Sequence, residues 1–135
     1  MLPNLASGQI LVVDPQAYLS QNPNRGDIVV FPNPRNNKMD IIKRIVGLPG
    51  ESISIRDTDV FVDNKLLKES YLNKRCPPIR YEPIQWILEE NQYVVLGDNR
   101  FCSSNDSRIF WPIQKDTIKG KAWLRLWPPQ KWSFI

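Results

Sequence analysis

The stretch Ser52-Ile-Ser-Ile-Arg-Asp-Thr-Asp-Val-Phe-Val-Asp-Asn-Lys65 decides the fold. Ile53 and Ile55 alternate with polar neighbours, the period of a strand with one buried face. Asp57-Thr58-Asp59 then supplies a turn, because short aspartate side chains bond to their own backbone. Val60-Phe61-Val62 returns as a second strand and Asp63-Asn64 marks a further turn, so the segment predicts a β-hairpin. Working outward, apolar and β-branched runs of strand length recur at residues 9–13, 27–31, 41–46, 92–96 and 121–127. The 12 prolines are spread along the chain and interrupt most helical periods, leaving short helices at most, one of them around 113–118. Residues 20–25 and 32–38 read as loops, and 73–83, with Cys76-Pro77-Pro78, is too proline-rich for a central strand. The expectation is a mainly β fold of antiparallel sheets with few short helices, one domain over residues 1–135.

Composition excludes several kinds of chemistry. Among 135 residues there are 18 Lys+Arg against 14 Asp+Glu, a net charge of +4, with 2 Cys and no His. Without imidazole, the Ser-His-Asp and Cys-His arrangements and His-ligated zinc are ruled out. Proton transfer falls to carboxylates, lysine or tyrosine. Cys76 and Cys102 form no CxxC, so neither a metal nor a cofactor is expected, and their spacing does not reveal whether they pair. The cations are scattered among acids rather than gathered in a stripe, which argues against a nucleic-acid partner. The longest apolar runs, at 10–13, 28–31 and 93–96, fall far short of the roughly 20 residues that span a bilayer as a helix. Met1-Leu-Pro-Asn-Leu5 carries neither the basic nor the apolar region of a cleavable signal.

Two segments stand out. Tyr93-Val-Val-Leu-Gly-Asp-Asn-Arg-Phe-Cys-Ser-Ser-Asn-Asp-Ser-Arg108 is an apolar strand that breaks at Gly97 into a dense polar loop. Its Asp, Asn and Ser residues suit either backbone capping or a site. In Asp40-Ile-Ile-Lys-Arg-Ile-Val-Gly-Leu-Pro-Gly50, Ile41, Lys43 and Ile45 share one strand face while Ile42, Arg44 and Val46 share the other. Lys43 either snorkels to water or is buried. Burial disfavours its charged form and lets the amine act as a general base without histidine.

Arg25-Gly-Asp-Ile-Val-Val-Phe31, Ile42-Lys-Arg-Ile-Val-Gly-Leu-Pro-Gly-Glu51 and Gly97-Asp-Asn-Arg100 with Ser104-Asn-Asp-Ser107 closely resemble successive boxes of the type I signal peptidases. Met1-Leu-Pro-Asn-Leu5 resembles the remainder of that family's Ser-Met-x-Pro-Thr-Leu box, and Gly120-Lys-Ala-Trp-Leu-Arg-Leu-Trp-Pro128 its last core strand. Order and spacing agree over essentially the whole chain, and the spelling is most like cyanobacterial and plastid members. The resemblance implies a membrane-anchored serine endopeptidase that removes signal peptides by Ser-Lys chemistry. It implies Lys43 as general base, Ser104 as the hydroxyl orienting the lysine, and Asp98, Asp106 and Arg108 as a supporting network. Substrate would lie along strand edges near Met1, Pro3, Leu5, Ile41 and Ile42, with small side chains preceding the cut. Partners would be signal peptides and a lipid surface. Location would be a plasma or thylakoid membrane, the site on the extracytoplasmic side. Trp123, Trp127, Trp132 and Phe134 would rest on lipid or pack a core, and Lys121, Arg125 and Lys131 would suit anionic head groups.

Departures from the family pattern carry consequences. The family's nucleophilic serine immediately precedes the methionine matching Met1, with the side-chain oxyanion donor just before it, so both fall outside this sequence. The chain as it stands is therefore expected to be inactive: either Met1 is a displaced start, or the chain binds signal peptides without cutting them. Ser7 is no substitute, since it lies past the box. Asn4 stands where threonine is usual, and Phe101-Cys102-Ser103 adds one residue to the polar loop, leaving Ser103 a rival to Ser104. Self-cleaving repressors share serine-lysine chemistry but need an Ala-Gly cleavage segment and a DNA-binding domain, and neither is present.

Overall fold

The computed structural model describes residues 1, 4–72, 82–101, 103, 105–129 and 132–135. Among them the strands are β1 (Ile10–Asp14), β2 (Ile28–Asn33), β3 (Asn36–Gly47), β4 (Ser52–Arg56), β5 (Asp59–Val62), β6 (Lys65–Leu66), β7 (Ile84–Ile87), β8 (Gln92–Leu96), β9 (Ile113–Gln114), β10 (Gly120–Trp127) and β11 (Ser133–Phe134), with one short helix, α1 (Ser107–Phe110). The larger sheet runs β1-β10-β2-β3-β8-β9, with β11 beside β10, and the smaller runs β6-β5-β4-β7. The described strand pairs are antiparallel. The mainly β, antiparallel expectation holds.

The hairpin forms as its residues require. Ile53 lies opposite Val62 and Ile55 opposite Val60, with Asp57 in the turn at φ 53°. The next turn places Asp63 and Asn64 both at positive φ, 48° and 65°, a two-residue connection whose twist matches its strands. Other expectations need correction. The loop read at 32–38 is a hairpin: β2 and β3 continue until Asn33 faces Asn36. Asn33 and Asn36 accept the amides of Arg35 and Lys38, local bonds that close the turn. The short helix expected around 113–118 is present as a single 3₁₀ turn at Lys115–Thr117 after β9. The α-helix lies instead at the end of the polar loop, started by Asp106, whose side chain accepts the Arg108 amide. Residues 73–81, most of the proline-rich segment, lie outside the described residues.

β3 is the central element. Its alternation sends Ile45 into a cluster with Val29, Phe31, Tyr93 and Val95, and Val46 into one with Ile53, Ile55, Val60 and Leu96 that joins the two sheets. A third cluster gathers Leu5, Ile28 and Ala122, with Met1, Ile42 and Ile135 packed against it. β3 is therefore held on both faces, which fixes what it carries.

Candidate active site

Lys43 lies opposite Val29 on the face of β3 that bears Ile45. Burial pulls its pKa below the ordinary 10.5; Asp106 and Asp98 oppose that shift and Arg108 reinforces it. The net direction is downward, so the neutral amine is more accessible than for a surface lysine. The Met1 amino group is also lowered, by burial first and then by the Lys43 charge, with Asp98 opposing. These two amines are thus electrostatic neighbours.

Opposite them, β8 ends at Leu96 and the chain turns into the polar loop. Asp106 is fully buried. It accepts from Arg108 Nε at 2.9 Å, Arg108 Nη2 at 2.8 Å and the Gly97 amide at 3.3 Å. Burial alone would push its carboxyl up, but the Arg108 guanidinium, with bonds from Ser103 and Gly97, outweighs that and holds it below 3.8. Arg108 also reaches the carbonyls of Arg100 at 2.8 Å and Ser103 at 3.2 Å, while Ser107 Oγ accepts the Val95 amide at 2.9 Å. Asp106 therefore both caps a helix and braces the loop. The charges survive burial because each is paired and hydrogen-bonded.

Gly97 is at the loop's entrance because nothing larger fits. A Cβ there would run into Ser103 Oγ and come within 2.8 Å of Ser103 Cβ. Gly97→Ala is expected to destabilise the protein by about 1–3 kcal/mol in urea denaturation, the range for overpacking a filled site. An unchanged midpoint would mean that Ser103 moves aside freely.

On the other face of β3, Arg44 forks onto the fully buried Asp98, with Nε on Oδ1 at 2.9 Å and Nη2 on Oδ2 at 2.8 Å. Asn4 Nδ2 donates to the same Asp98 Oδ2 at 2.6 Å and to the Tyr71 carbonyl at 3.0 Å. The Arg44 guanidinium lies 4.2 Å from the centre of the Tyr71 ring. Tyr71 donates its hydroxyl to Glu69, which pairs with Arg100.

Lys43 thus lies within electrostatic reach of Asp98, Asp106 and Arg108. Ser104 and Pro3 lie outside the described residues, as do Cys76 and Cys102. Met1, Leu5 and Ile42 pack in one cluster, whereas Ile41 packs with the cluster on the opposite face. The Leu5 amide donates to the Met1 carbonyl at 3.0 Å. Arg44, Asn4, Tyr71, Glu69 and Arg100 were not anticipated as parts of the site. The only hint was an arginine inside an apolar strand, and its partner is 54 positions away. Among the described residues no cluster of three or more His, Cys, Asp or Glu is placed to hold a metal, and no helix is long and apolar enough to cross a membrane.

Comparison with known proteins gives consistent relatives. A family model described as "Signal peptidase, peptidase S26" matches residues 1–127. "Probable signal peptidase I-2" of Synechocystis sp. (strain ATCC 27184 / PCC 6803 / Kazusa) is 36% identical over 134 residues, covering 95% of this chain and 59% of its own length. "Signal peptidase I" of Leptolyngbya laminosa is 35% identical over 139 residues, covering 95% of this chain and 64% of its own. The chain thus spans less than two thirds of the length of these relatives. A crystal structure of a signal peptidase I from Enterococcus faecalis V583 is similar with a TM-score of 0.60 and 31% identity, covering 75% of this chain and 97% of that one.

Proposed function

From the premise that the chain belongs to the signal peptidase family, peptidase S26, we propose that it is the catalytic unit, over residues 1–135, of a serine-lysine endopeptidase that removes signal peptides from exported proteins, with Lys43 as general base. The observation that carries this reading is the environment of Lys43: a lysine whose pKa burial lowers, within electrostatic reach of the Met1 amino group and of the braced carboxylates Asp98 and Asp106. The family resemblance puts the nucleophilic serine directly before Met1. A residue joined to the Met1 nitrogen enters the electrostatic neighbourhood of Lys43, as a nucleophile and its base require.

In this reading the neutral Lys43 amine takes the serine hydroxyl proton as the oxygen attacks the scissile carbonyl carbon. The ammonium so formed gives that proton to the departing amine, leaving an ester on serine. Water, deprotonated by the same amine, then attacks the ester carbonyl, and the ammonium returns the proton to the departing serine oxygen, which restores the hydroxyl and the neutral amine. Asp106 and Arg108 hold the loop that faces the lysine. Ser104 carries the hydroxyl that orients the amine. Ser103 is the weaker candidate because its hydroxyl is engaged with Asp106.

Substrate would bind as an added strand. β2 pairs with β3 from Asn36 to Arg44, while β8 pairs only with Arg44, Ile45 and Gly47. Among the described residues this leaves the β8-side edge of residues 36–43 open for an extended peptide beside Lys43. Signal peptides with small residues at the first and third positions before the cut are the implied substrates. Membrane association is supported by Trp123, Trp127, Trp132 and Phe134, which are exposed rather than packed in a core. Lys121 and Arg125, expected at lipid head groups, are engaged elsewhere. Lys121 pairs with Asp27, and Arg125 bonds to the Asn4 carbonyl and Ser133. Lys131 lies outside the described residues.

The test is cleavage of a small-x-small peptide by the chain extended upstream through the serine, beside the chain that begins at Met1. Cleavage by the first alone is expected. Its kcat/KM should fall as pH is lowered through the Lys43 pKa, because only the neutral amine accepts a proton, and the midpoint of that acid limb should lie below 10.5. A folded, extended chain that binds the peptide without cutting it would overturn the peptidase reading in favour of a signal-peptide-binding relative.

A further inference from the structure

The two carboxylates whose charges act on Lys43 are not held alike. Asp106 is neutralised by Arg108 within its own loop. Asp98 depends on groups from elsewhere in the chain. Its oxygens are taken by Arg44 of β3 and by Asn4. Asn4 is itself fastened at its other end, its carbonyl accepting from Arg125 Nη1 at 2.9 Å. Arg44 lies over the Tyr71 ring, and Tyr71 is tied through Glu69 to Arg100 in the loop that carries Asp98.

We propose that Asn4 and Tyr71 form a clamp that commits the Asp98 carboxylate to Arg44 and withholds it from Lys43, which makes both of them positioning residues for the Lys43 amine. The amide of Asn4 has two protons to donate, and its geometry uses both, one on Asp98 and one on the Tyr71 carbonyl. Asn4 therefore joins the loop that carries Asp98 to the segment that carries Tyr71.

The consequence follows from charge. The charges that act on Lys43 are those of Asp98, Asp106, Arg108 and the Met1 amino group, and its own strand face carries the apolar cluster with Val29 and Ile45. An Asp98 less fully held by Arg44 and Asn4 stabilises the ammonium form of Lys43 more strongly. The amine then needs a higher pH to become a base.

The importance of the clamp for catalysis rests on the reading of Lys43 as base, but its existence is tested without turnover. The 135-residue chain is labelled with ¹³C-lysine, and the Lys43 Cε signal, assigned by its loss in Lys43→Arg, is titrated by NMR in the parent, Asn4→Ala, Tyr71→Leu and Tyr71→Phe. Asn4→Ala and Tyr71→Leu are expected to raise the Lys43 midpoint by about one pH unit, a tenfold change in the neutral-to-charged ratio. Both Tyr71 variants keep the main-chain carbonyl for Asn4, but Tyr71→Phe alone keeps the ring over Arg44 and should show the parent midpoint. A general loss of stability would lower the melting temperature in all variants without moving this titration. A Lys43 midpoint that stays or falls in folded Asn4→Ala overturns the clamp, and Tyr71→Leu decides alone if Asn4→Ala does not fold. In the serine-bearing chain the acid limb of kcat/KM should rise with the NMR midpoint. No cleavage by that parent counts against the peptidase reading, while the NMR titration still decides the clamp.

Discussion

Exchanging Lys43 for methionine abolishes peptide cleavage by the serine-bearing chain and at the same time makes the protein more resistant to urea. The first effect should be a loss of at least about 100-fold in kcat/KM, the lower end of what a positioned general base contributes. The chain has no histidine to take over the proton. The second effect has the opposite sign because burial lowers the Lys43 pKa from 10.5. Between its folded and unfolded values the unfolded state binds more protons, so stability rises with pH across that window. Below the window the full cost of burying the ammonium is present. Methionine has similar length without the charge, so the gain should be largest at neutral pH and fade as pH approaches 10.5. Asp98 and Asp106 remain partnered by Arg44 and Arg108 in the variant. Urea denaturation of parent and variant at two pH values checks the sign. A variant less stable than its parent at neutral pH would show that Lys43 contributes more by pairing than it costs by burial.

Asp106→Ala should do the reverse, removing stability and activity together. The carboxylate is fully buried, and its loss strands a guanidinium whose side chain is 1% exposed. Removing one partner of a buried pair costs about 3–5 kcal/mol. The same substitution removes the cap of α1 and an acceptor for the Gly97 amide. A double cycle with Arg108→Leu should recover much of the loss, because no buried charge is then left unpaired. The pH dependence has a definite sign. With its folded pKa below 3.8, Asp106 contributes stability that is present above that value and lost as pH falls through the folded pKa. Parent stability should therefore drop in acid more steeply than that of the double variant. A cost under about 1 kcal/mol for Asp106→Ala would place the brace among weak surface pairs.

The sequence was most legible where the physics is local. Alternation of Ile53 and Ile55 with polar residues produces a strand because side chains project at a period of two, and the Asp and Asn residues that follow can occupy positive φ. The same period sets Lys43 and Arg44 on opposite faces of β3. Local reading failed where composition was ambiguous. Pro32-Asn-Pro-Arg35 reads as a loop, yet two Asx bonds turn it into the end of a hairpin. Strands of two residues, such as β6 and β9, are too short to show a period.

The candidate site divides along the same line. That Lys43 sits in an apolar strand, that no histidine competes with it, and that Asp98, Asp106 and Arg108 crowd one loop are determined by the order of residues alone. Whether Lys43 is buried, which carboxylate faces it and what holds each carboxylate are decided by tertiary structure. Asn4 meets Asp98 across 94 positions and Asp98 meets Arg44 across 54. Such pairings depend on which strands lie side by side in the sheet. A pKa depends on the distances and burial that result, and nothing in the spacing of residues along the chain specifies those.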